Sequence, residues 1–200
     1  MIIVFDLFGV IARDQSDAGK ARLAAIAGVA APQFRDAYWA LRPAYDRGEM
    51  TGPEYWSGVA RILGLTVDLE QINRLIEADL DSWRSVDADM VALLEALVAG
   101  GRRIALLSNI PEELAAYYEQ HQSWMRLFAV RGFSCRIHVA KPDPEAFRWC
   151  CRALDVEPSH ILFVDDRAEN IVAAEAIGMR GHHFTDPDRL QIALRQLAAS

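Results

Sequence analysis

Lysine is almost missing from this sequence: of 21 basic side chains 19 are arginine, and only Lys20 and Lys141 are lysine. Basic charge as a whole is in deficit, because 28 acidic residues leave a net −7, the wrong sign for a general nucleic-acid binder. Long apolar runs are missing too. No stretch approaches the roughly 20 residues of a membrane-spanning helix, and Ile2 to Phe5 meets Asp6 with no basic segment before it, so neither an anchor nor a secretory signal is expected. Cysteine is scarce and odd in number. Cys135, Cys150 and Cys151 lack metal-ligand spacing, and adjacent cysteines rarely pair, so three reduced, buried thiols in a cytoplasmic protein are expected. Internal repeats and low-complexity tracts are absent as well.

What is present is an apolar content of 52% over 200 residues, enough for one domain with a sizeable core and a modest insertion. Three aliphatic runs, Ile2 to Phe5, Arg103 to Leu107 and Ile161 to Val164, have the continuous apolar character of strands buried on both faces of a parallel sheet. Each gives way to a polar cluster: Asp6, Ser108-Asn109 and Asp165-Asp166. Helical patterns follow the second and third runs, one with Pro111 in its first turn and one from Ala168 to Gly178, and short strands are predicted near Gly132 to Cys135 and Arg180 to Phe184. This βα alternation predicts an α/β fold with a doubly wound, mostly parallel sheet. The stretch between the first two strands, about ninety residues, far exceeds the dozen or so that one crossover needs. Four helical patterns fill it, one opened by a capping box at Thr51 to Glu54. A small helical cap at 14–85, inserted into a core of 1–13 and 86–200, is therefore expected. Its aromatics Tyr38, Trp39, Tyr55, Trp56 and Trp83 are expected to pack inside the cap.

Doubly wound sheets bind ligands outside the carboxyl ends of their strands, so the three polar clusters and the Lys141 loop, Ala140 to Pro144, are expected to converge. That set suits phosphoryl transfer. Asp6 is placed to attack phosphorus and form an aspartyl-phosphate. Mg²⁺ between Asp6 and Asp166 would relieve the repulsion among carboxylates. The Ser108 hydroxyl and the Asn109 backbone N–H would bind the transferring oxygens, and Lys141 would hold charge between nucleophile and phosphate.

Phe5-Asp6-Leu7-Phe8-Gly9-Val10, Leu107-Ser108-Asn109, Ala140-Lys141-Pro142-Asp143-Pro144 and Phe163 to Asn170 resemble the four ordered motifs of the haloacid dehalogenase-like hydrolase superfamily. The last motif and the cap segment Tyr45 to Thr51 are most similar to the α-glucose-1-phosphate phosphatase group and the amino-terminal phosphatase domain of epoxide hydrolases. The resemblance implies a Rossmann-like core with Asp6 as nucleophile and metal ligand, Asp166 as direct metal ligand and Asp165 acting through a water. It also implies Ser108, Asn109 and Lys141 as phosphate binders, Asn170 as a support of the metal loop, and the backbone carbonyl of Phe8 as a further ligand of Mg²⁺. A small phosphorylated substrate and a monomer or homodimer are expected.

One position departs from the resemblance, which implies a second acid two residues after the nucleophile where this chain has Phe8. Phenylalanine transfers no proton, and the general acid–base help so lost is typically worth about 10²–10⁴-fold. L-2-haloacid dehalogenases resemble this motif in having an aromatic there, which suits a halide that leaves without a proton. Against that alternative stands the Asp165-Asp166 pair, which the resemblance ties to metal use. Arg35 or Arg42 would serve such an enzyme as a carboxylate clamp. A third reading is a catalytically impaired binding module, for which three crowded carboxylates have no purpose. His138 lies close enough to Lys141 to stand in as a proton-transfer group. His182 and His183, neighbours on a predicted strand, point to opposite faces and share no metal.

Overall fold

Alternate residues of each strand feed two apolar layers. In β1 (Ile2–Phe5), Ile3 and Phe5 join one layer while Ile2 and Val4 join the other. β2 (Ile104–Ser108) and β4 (Ile161–Asp165) divide alike, with Leu106 and Val164 on the first side and Leu107 and Phe163 on the second. A strand apolar on both faces needs cover on both. α5 (Ala88–Ala99), α6 (Glu112–His121) and α10 (Pro187–Ala198) cover the first side, through Met90, Leu94, Leu114, Tyr118 and Leu190. α8 (Pro144–Leu154) and α9 (Ala168–Ala176) cover the second with Phe147, Cys150, Leu154, Ile171 and Ala174.

The computed structural model describes residues 1–198. With β3 (Val130–Phe133) and β5 (Arg180–His183) the sheet has five strands, all parallel, in the order β3-β2-β1-β4-β5. The fold is thus the expected α/β doubly wound parallel sheet. The chain builds outward from β1 to β3 and then returns to lay β4 on the other side of β1. The switch point therefore falls between β1 and β4, whose carboxyl ends carry Asp6 and Asp165. β3 ends earlier than Cys135, because Ser134 and Cys135 enter a one-turn helix, α7 (Ser134–Ile137). The Ser134 hydroxyl accepts from the Ile110 N–H at 2.8 Å and donates to the Asp46 carbonyl at 2.5 Å. Pro111 is the N-cap of α6 rather than part of its first turn, and Phe184 lies just past β5. The three cysteines are free and buried.

Between β1 and α5 the chain forms α1 (Asp17–Ala27), α2 (Ala31–Asp46), α3 (Gly52–Ile62) and α4 (Leu69–Trp83). Ser16, Thr51 and Asp68 cap α1, α3 and α4, and the reciprocal Thr51–Glu54 box forms. These helices enclose a third apolar cluster around Leu23, Tyr38, Tyr55, Trp56 and Leu75. Trp39 and Trp83 depart from the expectation of cap packing. With Tyr38 turned inward, the next residue of the helix points about 100° away, and Trp39 stays 48% exposed. Trp83, at the end of α4, joins the layer beneath α5 and α6 instead. Among the described residues no helix is long and apolar enough to cross a membrane.

Arg42 is not an open clamp. Its guanidinium is buried, with Nε 2.7 Å from Asp46 Oδ1 and Nη1 3.4 Å from Asp79 Oδ2, and it also donates to the Tyr38 hydroxyl. It lies 5.3 to 6.0 Å from the ring centres of Tyr38, Trp39, Tyr45 and Trp83. Arg35, the other clamp candidate, sits at the surface beside Asp36. Removing one partner of a buried ion pair strands the other charge, at about 3–5 kcal/mol. Arg42→Met is accordingly expected to lower the thermal unfolding midpoint by roughly 10 °C in a calorimetric scan, at about 2–4 °C per kcal/mol.

Candidate active site

Lys141 joins the ends of β1 and β4. Its Nζ lies 2.8 Å from Asp6 Oδ1 and 2.7 Å from Asp165 Oδ2, and 5.3 Å above the Phe163 ring, with the lysine side chain 1% exposed. Asn109, at the end of β2, holds the lysine through its backbone: the Asn109 amide donates to the Lys141 carbonyl at 2.8 Å and accepts from the Lys141 N–H at 2.9 Å. Asp165 is fully engaged, since Oδ1 also accepts from the Arg167 N–H at 2.8 Å and Asn170 Nδ2 lies 3.0 Å from both oxygens. Asp6 Oδ1 takes a further bond from the Leu7 N–H at 2.7 Å. Ser108 is brought to the same strand ends with its hydroxyl buried and unpartnered.

Asp166 differs from Asp165 in being half-buried with Oδ1 unpartnered. The loop after β1 makes room for it. Gly9 has φ +79°, and a Cβ there would run into the Asp166 carboxylate. Asp6, Asp165 and Asp166 offer oxygens that all lie within 4.8 Å of one another. Three carboxylates against one ammonium leave a cluster short of positive charge, with one buried oxygen lacking a partner. That donor set, all hard oxygen, fits a divalent cation such as Mg²⁺. The electrostatics agree. Burial pushes the Asp6 carboxyl up to about 7, with Asp165 adding to the rise and Lys141 opposing it. Burial, then Asp165 and Asp14, also push Asp166 upward.

Asp6, Lys141, Asn109, Asp166 and Asn170 line a single cavity of about 990 Å³ between the strand ends and α2. Phe8 lines it too, its ring 4.8 Å from that of Trp83 and 5.9 Å from that of Tyr118. His138 lies on the cavity with Nδ1 3.1 Å from the Arg47 carbonyl oxygen. Several members escaped the sequence reading. Trp39, Arg167 and Trp83 line the cavity. Glu113 on α6 accepts from the Tyr45 hydroxyl at 2.7 Å and the Gly52 N–H at 2.9 Å, tying the inserted helices to the sheet layer. His183 pairs with Asp165 across the β4–β5 register, and its Nε2 donates to the Asp166 carbonyl at 2.8 Å. The alternation along β5 held the signal for His183, whereas Glu113 reads as an ordinary first-turn acid.

The doubly wound sheet thus gathers an aspartate, a lysine and an acid pair at its switch point. The chain belongs to the haloacid dehalogenase-like hydrolase family, whose model matches residues 1–178. It is 36% identical over 112 residues to the sesquiterpene phosphatase astK of Aspergillus oryzae, covering 56% of this chain and 57% of that protein. It is 32% identical over 117 residues to (S)-2-haloacid dehalogenase 1 of Pseudomonas sp. strain CBS-3, covering 58% of this chain and 50% of that one. The chain thus spans about half the length of these curated relatives. In fold it is similar to a family enzyme of Bacteroides thetaiotaomicron solved with magnesium and inorganic phosphate, with TM-score 0.78 and 19% identity over 94% of this chain and 98% of that one.

Two outcomes follow from the geometry. Because the folded state raises the Asp6 pKa from 3.8 to about 7, the folded protein binds the extra proton between those values. Its stability therefore falls as pH rises through that window. Without metal, Asp6→Asn is expected to melt several degrees above the wild type at pH 7.5 and level with it near pH 4, and Mg²⁺ is expected to raise the wild-type midpoint more than the variant's. The second outcome concerns Lys141→Arg. A planar guanidinium does not fit the space of an ammonium bonded to Asp6 and Asp165 above Phe163. Turnover is expected to fall by about 10²-fold or more, on the scale of losing one preorganised electrostatic donor.

Proposed function

We propose that this protein is a Mg²⁺-dependent phosphatase of small phosphorylated molecules, in which Asp6 is the nucleophile. The observation that carries this reading is the acid cluster: Asp6 and Asp165 share one ammonium while Asp166 keeps an unpartnered oxygen beside them. In the first step Asp6 attacks phosphorus, the bond from phosphorus to the leaving oxygen breaks, and that oxygen departs with the electron pair. In the second, water attacks the aspartyl-phosphate at phosphorus, releasing inorganic phosphate and returning the Asp6 carboxylate. Lys141 favours the ionised form of Asp6 against the effect of burial and aims it. The Ser108 hydroxyl, buried and unpartnered, and the Asn109 N–H receive phosphoryl oxygens. The Asn109 side chain has the added task of holding Lys141. Asp6, Asp166 and the Phe8 carbonyl oxygen would hold Mg²⁺, with Asp165 acting through a water and Asn170 fixing Asp165. Bound there, the cation neutralises the carboxylates and draws charge from the phosphoryl oxygens. In this reading 14–85 is a cap over a core of 1–13 and 86–200.

The second reading is a 2-haloacid dehalogenase, which the Phe8 ring on the cavity wall favours, as does the likeness to a dehalogenase. Metal dependence separates the two. Phosphate release from a panel of phosphomonoesters is expected to require Mg²⁺, to stop with EDTA and to fall at least about 10³-fold in Asp6→Asn. Halide release from 2-chloropropionate without phosphate release from any ester overturns the phosphatase reading, and phosphate release surviving Asp6→Asn overturns the covalent route.

A further inference from the structure

The cavity above Asp6 has an aromatic wall that phosphate chemistry does not require. Phe8, two residues from the nucleophile, packs on Trp83 at 4.8 Å, and Trp83 meets Trp39 edge-on at 6.5 Å. The wall is held in place from behind. The Trp83 indole N–H donates to the Tyr38 hydroxyl at 3.0 Å, the Tyr118 hydroxyl donates to the Trp83 carbonyl at 2.6 Å, and Tyr38 meets Trp39 edge-on at 5.1 Å. Trp39 nonetheless stays 48% exposed and lines the cavity. A large indole left exposed on a rigid wall beside a nucleophile is the kind of apolar surface that marks a ligand contact.

Several polar groups around the same cavity already have protein partners. Asp46 is bonded to Arg42, Arg47 pairs with Glu49 at 2.6 Å, and Arg167 pairs with Glu169 at 2.7 Å. The hydroxyl groups of a sugar would have to compete for them, and a buried hydroxyl without a partner costs about 1–3 kcal/mol. A ring system asks nothing of these side chains and gains from packing on the exposed indole of Trp39, which Trp83 backs. The cavity, about 990 Å³, is large enough for a leaving group of two or more rings.

Phe8 adds a chemical constraint that points the same way. The side chain two residues after the nucleophile donates no proton, so a leaving oxygen that is stable as an anion is favoured over an alkoxide. Phenols, with pKa near 10 like that of tyrosine, meet that condition and alkyl alcohols do not.

We infer that the substrate is a phosphate monoester of an apolar, ring-bearing alcohol of phenolic acidity, with its rings packed on Trp39 and its phosphate on Asp6 and Lys141. The inference rests on the phosphatase reading and narrows its small phosphorylated molecules to aryl phosphates. Asp6 attacks phosphorus, the phosphorus–aryl oxygen bond breaks, the phenolate leaves with the electron pair and takes its proton from water, and hydrolysis of the aspartyl-phosphate follows as above.

The test measures binding and turnover separately. In Asp6→Asn with Mg²⁺, calorimetry is expected to show 1-naphthyl phosphate binding at least tenfold tighter than glucose 1-phosphate. Adding Trp39→Ala is expected to bring the two within about twofold, and Trp39→Phe to restore most of the preference. In the wild type, kcat/KM over a series of substituted phenyl phosphates is expected to fall steeply as the phenol pKa rises. Equal affinities for the two ligands, or a preference that survives Trp39→Ala, overturns the inference. So does glucose 1-phosphate turning over as well as the aryl ester, an outcome that upholds the phosphatase reading. A Trp39-dependent preference with no phosphate released from any ester upholds the aromatic site and overturns the phosphatase reading instead.

Discussion

The Lys141 ammonium, buried between Asp6 and Asp165, is the interaction on which the rest of the site depends. Taking these charges out of water costs several kcal/mol per ion, and that cost is met only if each remaining hydrogen-bonding position is filled with good geometry. The surroundings follow from this requirement. Asn109 fixes the lysine backbone from β2, the Arg167 N–H and the Asn170 amide complete Asp165, and the Phe163 ring closes the underside. Asn109 comes from the end of β2 and the others from β4 and the segment after it, so the sheet order is a precondition of the cluster. Only at the switch point do the carboxyl ends of β1 and β4 lie side by side.

The two adjacent acids show how one residue of register divides labour. Asp165 is the last residue of β4, wholly buried, and every bond it makes is to the protein. Asp166 has left the strand, so its carboxylate turns toward Gly9 while its carbonyl is held by His183. The first acid stabilises the lysine. The second keeps an unpartnered oxygen, and the absence of a Cβ at Gly9 is what admits it to the site.

Much of this was legible in the sequence because it depends on local pattern. Continuous apolar runs ending in polar residues locate β1, β2 and β4, and the ordered motifs name Asp6, Ser108, Asn109, Lys141, Asp165, Asp166 and Asn170. What sequence could not convey is direction around a helix and partnership across the fold. Trp39 and Tyr38 are neighbours of similar character, and only the packing of α2 decides which one faces the core. Arg42 reads as an available cation until Asp46 and Asp79 are seen to surround it. Cys135 looks like the end of a strand, yet the hydrogen bonds of Ser134 draw the chain into a turn.

Arg42 links the interior of the helical layer to the surface above Asp6. It lies among the rings of Tyr38, Trp39, Tyr45 and Trp83, two of which line the cavity. Burial pushes the carboxyls of Asp46 and Asp79 upward, and the Arg42 guanidinium opposes that rise at both. The same α2 terminus reaches the sheet layer through the Asp46 carbonyl on Ser134 and Tyr45 on Glu113. Helix packing, the aromatic wall and the seating of the helices over the strand ends therefore share one buried network. A change in any part of it alters the shape presented to a ligand without touching the carboxylates.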